Sequence, residues 1–438
     1  TSVTDNRSVR NLFICNLDGS DSQQLTTSGK SINNARWSSD GKHVAFLMGG
    51  QIWTAGISNE GGSWKLDDVR KISDVPAGIC EFKISPDEKK VMYISYVKSD
   101  VKSPTDCYSD LDKATAYETD DLMYRHWDHT VMEIPHTFVA MRYFKSGPIT
   151  EGKDILEGEK ELYELPTEPW SGLEQLAWSP DGNYIAYSCR KLVGKKYAFS
   201  TNTDIYIYNV ETGECSVIDM KGGYDTDPVW SPDGSKICWV SMERYGYESD
   251  KQRLMTADVK YGVSGMPEVS NSKDVTADFK YNVASPSWSA DSKSIYFASL
   301  AEGIEGMFVA EESADGWKIE RITGDDMWYD FGSPFHVAEA EDGSRTFYTT
   351  WCSMDFPTEL VAVRHTDAGN EYIPVTDENG HILSQLDKGE TEARMIRNVD
   401  GKDMLTWVLY APYFDSSKEY PGITICLGGP QGTLSQGW

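Results

Sequence analysis

A glycine-rich segment near the end of the sequence has residue types suited to holding a negatively charged oxygen. Residues 427–432 read Leu-Gly-Gly-Pro-Gln-Gly and close a largely apolar stretch, residues 422–427. Such a stretch predicts a strand that is buried on both faces, and glycines just after it allow backbone N–H groups to approach a ligand oxygen closely. The backbone of Gly428 and Gly429 is therefore a candidate oxyanion hole. A simple tight turn is the alternative interpretation.

A second group of candidate residues lies at the end of a polar, irregular region at about residues 99–130. There Arg125, Trp127 and Asp128 place an aromatic ring between a guanidinium and a carboxylate. This combination can bind both ends of a short peptide unit, and long loops often carry binding residues. Alternatively, Arg125 and Asp128 pair with each other and hold the region in place. Glu133 is a further candidate for binding.

Three histidines are crowded into the same part of the chain, close to Asp128 and Glu133. They are His126, His129 and His136. Their order does not produce the His-Glu-x-x-His pattern of a metal site on one helix, and the segment is predicted to be irregular and then a strand. We expect no metal site here, and we expect no cofactor.

The elements that position these candidates repeat along the chain. Trp178-Ser-Pro-Asp-Gly182 is followed at once by alternating apolar residues, and copies of this motif begin at Trp37, Ile84, Trp230 and Trp288. Proline sets φ for the turn, aspartate accepts backbone N–H bonds and glycine takes the left-handed position. Each copy therefore predicts an antiparallel hairpin with one buried face. The tryptophans are expected to lie in the core.

A hairpin that recurs every 40 to 60 residues or so indicates a repeat architecture rather than several ordinary domains. We predict an all-β propeller over residues 1–378, with seven four-stranded blades, the first of them incomplete on its N-terminal side. The interval between the markers at Ile84 and Trp178 is much longer than the others, which places an insertion at about 99–130. Residues 379–438 change to longer strands and predict the first strands of an α/β domain, incomplete within this sequence.

Composition restricts the classes of partner. The 438 residues carry a formal net charge of −28, which argues against a nucleic-acid surface, because such a surface needs clustered lysine and arginine. The same charge is explained by plain solubility, or alternatively by attraction of cationic groups such as the amino terminus of a peptide. No stretch approaches the ~20 consecutive apolar residues of a membrane helix, so no membrane insertion is expected.

Two segments resemble the prolyl oligopeptidase family of serine peptidases, in which a propeller precedes an α/β-hydrolase domain. Residues 420–431, Tyr-Pro-Gly-Ile-Thr-Ile-Cys-Leu-Gly-Gly-Pro-Gln, look like the start of that family's hydrolase sheet. Residues 120–128 are similar to a stretch in its dipeptidyl-peptidase V and acylaminoacyl-peptidase branch. Leu427 stands where many members carry His, and the family's Gly-x-Ser-x-Gly motif is missing from the sequence. The resemblance therefore implies a Ser-His-Asp triad that lies outside these residues.

The resemblance implies an exopeptidase that releases dipeptides or other short N-terminal units from peptides. The propeller would act as a size filter and bind the substrate amine. The resemblance also implies a periplasmic or secreted protein of a bacterial envelope, as a monomer or homodimer. The alternative is a non-catalytic propeller that serves as a scaffold for protein partners. Residues 380–438 discriminate between the two, because a scaffold has no use for a buried strand that ends in Gly-Gly-Pro.

Overall fold

The structure, a computed structural model, consists almost entirely of antiparallel sheets. It describes all residues except 1, 3, 122, 124, 143–146, 219–221, 263–264, 315, 325–326, 341–343, 367 and 428–431. Six sheets of four or five strands follow one another along the chain, and the strands of each lie side by side nearly in chain order. These sheets are the blades of a β-propeller, which confirms the predicted fold class. We label the blades A to F.

The first strands form a short sheet and blades A and B. A two-stranded sheet contains β1 (Phe13–Ile14) and β2 (Gln23–Gln24). Blade A contains β3 (Ile32–Trp37), β4 (His43–Met48), β5 (Gln51–Glu60) and β6 (Ser63–Lys71). Blade B contains β7 (Glu81–Ile84), β8 (Lys90–Lys98), β11 (Glu133–Met141) and β12 (Lys153–Asp154). Between β8 and β11 lie helix α1 (Pro104–Cys107) and a hairpin of β9 (Arg125–His126) and β10 (His129–Thr130). The short sheet falls where the incomplete first blade is predicted.

Blades C to F continue the pattern. Blade C contains β13 (Leu176–Trp178), β14 (Tyr184–Cys189), β15 (Asp204–Asn209) and β16 (Cys215–Ile218), with helix α2 (Gly194–Phe199) between β14 and β15. Blade D contains β17 (Tyr224–Trp230), β18 (Lys236–Met242), β19 (Arg253–Tyr261) and β20 (Pro267–Asp274). Blade E contains β21 (Ala284–Trp288), β22 (Ser294–Ala301), β23 (Ile304–Ser313) and β24 (Gly316–Arg321). Blade F contains β25 (Asp330–Phe331), β26 (His336–Glu339), β27 (Arg345–Ser353), β28 (Phe356–Thr366) and β29 (Gly369–Pro374).

The chain divides into two compact units. The first comprises Thr1–Asn16, Asp21–Val275 and Ala290–Ser292, and the second comprises Leu17–Ser20, Thr276–Ser289 and Lys293–Trp438. Blades A to D belong to the first unit, and the strands of blades E and F belong to the second. The domain boundary between residues 378 and 379 stays a prediction. Among the described residues, no helix has both the length and the apolar character that crossing a bilayer requires.

The repeated turn motif is held by one serine hydroxyl that bonds in two directions. Ser179 Oγ donates to Asp181 Oδ1 at 2.6 Å and accepts from the backbone N–H of Tyr184 at 2.9 Å. Ser231 makes the equivalent two bonds at 2.7 and 2.9 Å. Gly182 follows at a φ of 68°, a left-handed conformation that glycine adopts at little cost. The turn therefore sets the register of the two strands that it joins.

Two of the four motif tryptophans pack between neighbouring blades. Trp178 lies in one core with Met92 of blade B, and Trp230 lies in the next with Ile205 of blade C. Trp37, however, is 56% exposed, because only the short sheet β1–β2 precedes blade A in the described chain. Trp288 is only half-buried. The core prediction is thus confirmed for Trp178 and Trp230, is wrong for Trp37 and holds only in part for Trp288.

The end of the chain departs from the prediction. After helix α3 (Gly380–Leu383), strands β30 (Thr391–Arg397) and β31 (Asp403–Leu409) form a hairpin. Residues 422–427 are not a strand, and Ile423 is 92% exposed. A buried strand must hydrogen-bond its backbone to neighbouring strands, and no described segment pairs with residues 422–427. The predicted buried strand is therefore wrong for this structure.

Removing the turn hydroxyl tests its structural role. Ser179→Ala should lower the free energy of unfolding by about 1–3 kcal/mol, because the buried N–H of Tyr184 loses its acceptor. Denaturant unfolding checks this value. Ser272→Ala, on an exposed position of β20, is the matched control and should change the free energy by less than about 0.5 kcal/mol. Equal effects of the two substitutions would contradict the assignment.

A buried carboxyl on β17 makes stability depend on pH. Asp225 is 0% exposed, and its Oδ1 accepts a hydrogen bond from Trp239 Nε1 at 2.9 Å. Burial raises the pKa of this carboxyl from 3.8 to about 6, because the charged form loses its hydration. The folded chain therefore binds this proton more tightly than the unfolded chain does. Its contribution to stability falls as pH rises from about 4 to above 6.

Replacing this carboxyl should flatten the pH dependence. Asp225→Asn can keep the acceptor for Trp239 but carries no charge. The free energy of unfolding of this variant should therefore fall less between pH 4 and 7 than that of the natural protein, by up to roughly 3 kcal/mol. Unfolding free energies at both pH values provide the measurement, with the exposed Asp112→Asn as control. If the natural protein and Asp225→Asn lost equal stability over this range, the buried charge would not be the cause.

Candidate functional site

The insertion carries a short hairpin that presents three of the predicted site residues. In this hairpin, β9 and β10 pair so that His126 lies opposite His129. Trp127 and Asp128 form the two-residue turn between the strands. Arg125 opens the first strand and is exposed. The hairpin therefore presents Arg125, Trp127 and Asp128 within one short piece of backbone.

The guanidinium of Arg125 is held by the turn, and no ion pair among the described residues joins it to a carboxylate. Arg125 Nε donates to the backbone oxygen of Trp127 at 2.9 Å. The carboxylate of Asp128 lies 3.3 Å from Nδ1 of His129, and its side chain is 74% exposed. Of the ion pairs that the structure describes, none joins Arg125 to Asp128. The interpretation of these two residues as a structural pair therefore finds no supporting contact.

Trp127 adopts an uncommon conformation at the tip of the hairpin. Its φ is 43°, a left-handed value that a bulky residue rarely takes. Its side chain is 75% exposed, yet its ring lies 5.7 Å from that of Trp170, at an angle of 52°. Trp170 is itself 78% exposed. Residues held in such backbone conformations cluster at functional sites.

The remaining predicted residues are separate from this contact. Glu133 is the first residue of β11, where it pairs with Lys98 of β8, and it is exposed. No described hydrogen bond or ion pair joins Glu133 to Arg125. Gly428 and Gly429 lie outside the described residues, so their role as oxyanion donors stays a prediction.

Each of the histidines in this region lies against a different carboxylate. His126 Nε2 is hydrogen-bonded to Glu164 Oε1, and His136 Nδ1 lies 2.6 Å from Asp154 Oδ2. Because each ring has its own partner, these side chains do not converge on one point. In the described part of the chain, no three or more histidine, cysteine or acidic side chains are grouped as a metal would need.

Sequence reasoning missed three residues near the hairpin. They belong to the loop that precedes blade C: Glu164, Glu168 and Trp170. Glu168 Oε1 accepts a hydrogen bond from Tyr96 Oη at 2.7 Å. Burial raises the pKa of Tyr96 well above its usual value, and the bond to Glu168 adds to the shift. The only sequence signal was a proline-rich run, Glu164-Leu-Pro-Thr-Glu-Pro-Trp170, that belongs to no repeat.

The hairpin and this loop combine three kinds of contact. The guanidinium of Arg125 can donate to carbonyl or carboxylate oxygens. The exposed rings of Trp127 and Trp170 can pack on apolar side chains. The carboxylate of Asp128 can attract an ammonium group. A peptide end presents all of these partner groups.

Curated relatives match the whole chain. No family model matches it. Two proteins named dipeptidyl-peptidase 5 do match: that of Porphyromonas gingivalis is 41% identical and that of Porphyromonas endodontalis is 39% identical, each over 100% of this chain. The chain covers 60% and 59% of these relatives, so it spans less than two thirds of their length.

Solved structures share the fold. The acylaminoacyl peptidase of Pyrococcus horikoshii aligns with a TM-score of 0.61 at 17% identity, over 93% of this chain and 54% of that chain. A structure from a study of two prolyl endopeptidases aligns with a TM-score of 0.52 at 14% identity, over 90% of this chain and 50% of that one. At such low identity the likeness shows the fold alone.

These comparisons and the sequence agree. Blades A to E are those that the turn motif predicts, and residues 120–128 and 420–431 resemble the same family as the relatives that match the chain. Over its whole length the chain is similar to the dipeptidyl-peptidase 5 proteins, and this similarity agrees with the resemblance of the two segments to the prolyl oligopeptidase family.

Proposed function

We propose that the protein is a serine exopeptidase that releases dipeptides from the free amino terminus of peptides. The observation that carries the proposal is the match, at 41% identity over 100% of this chain, to a relative named dipeptidyl-peptidase 5. The exposed hairpin at residues 125–130 supports it, because its side chains suit a peptide end. The propeller would also act as a filter that admits only short or unfolded peptides.

The chemical step follows the usual serine-hydrolase sequence. A serine hydroxyl attacks the scissile carbonyl, a histidine takes its proton and later gives it to the leaving amine, and an aspartate orients the histidine. These three residues would come from outside the printed sequence, which has no Gly-x-Ser-x-Gly motif. The backbone N–H groups of Gly428 and Gly429 would help to hold the oxyanion, and one such donor contributes about 100- to 1000-fold to turnover.

The hairpin would hold the substrate end during this step. The guanidinium of Arg125 suits a substrate carbonyl oxygen, and the carboxylates of Asp128 and Glu133 suit the ammonium group of the peptide. Trp127 would pack on the first side chain. We also propose that the protein is exported to the periplasm or secreted and acts as a monomer or homodimer.

An assay of the full-length protein on chromogenic dipeptide substrates tests the proposed reaction. Substrates with a free amino terminus should be cleaved and blocked ones should not, and a phosphonate that labels active serines should abolish cleavage. If the protein neither cleaves these substrates nor is labelled, the proposed peptidase activity is wrong and a propeller scaffold is favoured. If only blocked substrates are cleaved, the protein is a hydrolase, but the proposal that it recognises the free amino group of the substrate is wrong.

Substitution of Arg125 tests the hairpin. Arg125→Ala should raise KM about tenfold with little change in kcat, because a charge-assisted hydrogen bond is lost equally from the ground and transition states. Steady-state kinetics on a free dipeptide substrate give both constants. Arg70→Ala, an exposed arginine that pairs with Asp68 on β6, is the control. A lower melting temperature with unchanged KM would mean that Arg125 is structural.

A further inference from the structure

The buried carboxylate of Glu164 links three segments that connect strands in the first unit, one of which is its own loop. Glu164 is 3% exposed, and both of its carboxylate oxygens have partners. Oε1 is hydrogen-bonded to Nε2 of His126 in the hairpin, and Oε2 accepts from the hydroxyl of Tyr197 on α2 at 3.0 Å. A buried carboxylate is tolerated when its lone pairs are satisfied. Glu164 is therefore tied to both the insertion and the connection between β14 and β15.

The backbone next to Glu164 is fixed to the blades. The N–H of Leu165 donates to the oxygen of Pro135 on β11 at 2.9 Å, and Thr137 Oγ1 donates to the oxygen of Leu165 at 3.1 Å. Sγ of Cys189 on β14 lies 3.4 Å from the backbone oxygen of Glu164. The carboxylate thus projects from a rigid base, and the partners that depend on it belong to connecting segments.

Tyr197 is held on its other side by a cation. The guanidinium of Arg190 lies over its ring, 4.8 Å from the centroid. Burial raises the pKa of Tyr197 well above its usual value, and the charge of Glu164 contributes further, so the hydroxyl keeps its proton and donates to Glu164.

The residue that Glu164 holds on the hairpin is next to the exposed tryptophan. His126 precedes Trp127 directly, and Trp170 lies six positions after Glu164 in the same loop. The carboxylate therefore connects the two backbone segments that carry the indole pair. Two large apolar rings that are each more than 70% exposed and yet in contact are suited to a further apolar partner.

We infer that Glu164 is a positioning residue that holds the hairpin through His126, so that Trp127 and Trp170 together form a binding site for an aromatic or large aliphatic side chain of a peptide substrate. This inference rests on the proposed function. The occupant is the N-terminal side chain of the peptide, because Asp128, beside Trp127 in the turn, is an exposed carboxylate that attracts the adjacent ammonium group. Peptides that begin with a large apolar residue are thus the favoured substrate class.

The positioning role is tested without any activity measurement. Amide hydrogen exchange of residues 125–130 should become about tenfold faster in full-length Glu164→Gln, because a charge-assisted bond to His126 is weakened. Tyr197→Phe removes a single hydrogen bond and should give a smaller increase in the same residues, and it keeps the test open if Glu164→Gln does not fold. Glu161→Gln, in the same loop but paired only with Lys160 in the described ion pairs, should leave exchange unchanged. Unaltered exchange in Tyr197→Phe and in any folded Glu164→Gln would overturn the positioning role.

The binding site is tested by preference between substrates. The ratio of kcat/KM for a Phe-Ala over an Ala-Ala chromogenic substrate should fall up to about tenfold in Trp170→Ala and in Glu164→Gln, and should stay constant in Glu161→Gln. A lower melting temperature alone would not change this ratio. An unchanged ratio in Trp170→Ala would overturn the site.

Failure of the proposed reaction can be told apart from failure of this inference. If the full-length protein cleaves no dipeptide substrate, calorimetric binding of the peptides Phe-Ala-Ala and Ala-Ala-Ala still tests the site. Tighter binding of Phe-Ala-Ala that is lost in Trp170→Ala would support the aromatic site in a protein without the proposed activity. Equal binding of the two peptides would contradict it.

Discussion

The serine hydroxyl of the repeated turn in blades A to E is the contact on which these sheets depend. At Ser179 and Ser231 the hydroxyl bonds the aspartate of the turn and the first N–H of the next strand. A one-residue slip between two strands would turn every apolar side chain to the wrong face. Because neighbouring blades within each compact unit bury their faces against each other, a turn that sets the register of one blade also sets the surface on which its neighbour packs.

Two copies of the turn have a residue other than glycine at the left-handed position, and the side chain of that residue bonds to another turn. Glu88 and Ser292 occupy the glycine position with φ of 58° and 63°, which is unfavourable for residues with a Cβ. Both side chains contact the turn of the preceding blade. The carboxylate of Glu88 accepts from the N–H of Ser39, and Ser292 Oγ accepts from the N–H of Asp233. The local strain is thus accompanied by a hydrogen bond to a second turn within the first unit.

The irregular segments of blades B and C lie at the end of each blade opposite to the repeated turn. In an antiparallel sheet, the connection from the second to the third strand lies at the opposite end from the turn between the first and second strands. The insertion leaves blade B at this end, between β8 and β11, and α2 leaves blade C at the same end, between β14 and β15. Neither segment interrupts a blade turn. Glu164 joins these two irregular segments through His126 and Tyr197, so the candidate site depends on contacts that the repeat does not contain.

The sequence by itself determined the blades and the position of the insertion, because turn residues and alternating strands act over a few neighbouring residues. It identified Arg125, Trp127 and Asp128 from their residue types. Only the tertiary structure decided that Trp127 lies against Trp170 and that His126 bonds Glu164, since these partners are distant in sequence and meet where blades B and C pack together. The exposure of Trp37 and of residues 422–427 was decided in the same way, because burial requires a neighbouring sheet and cannot be read from apolar character alone.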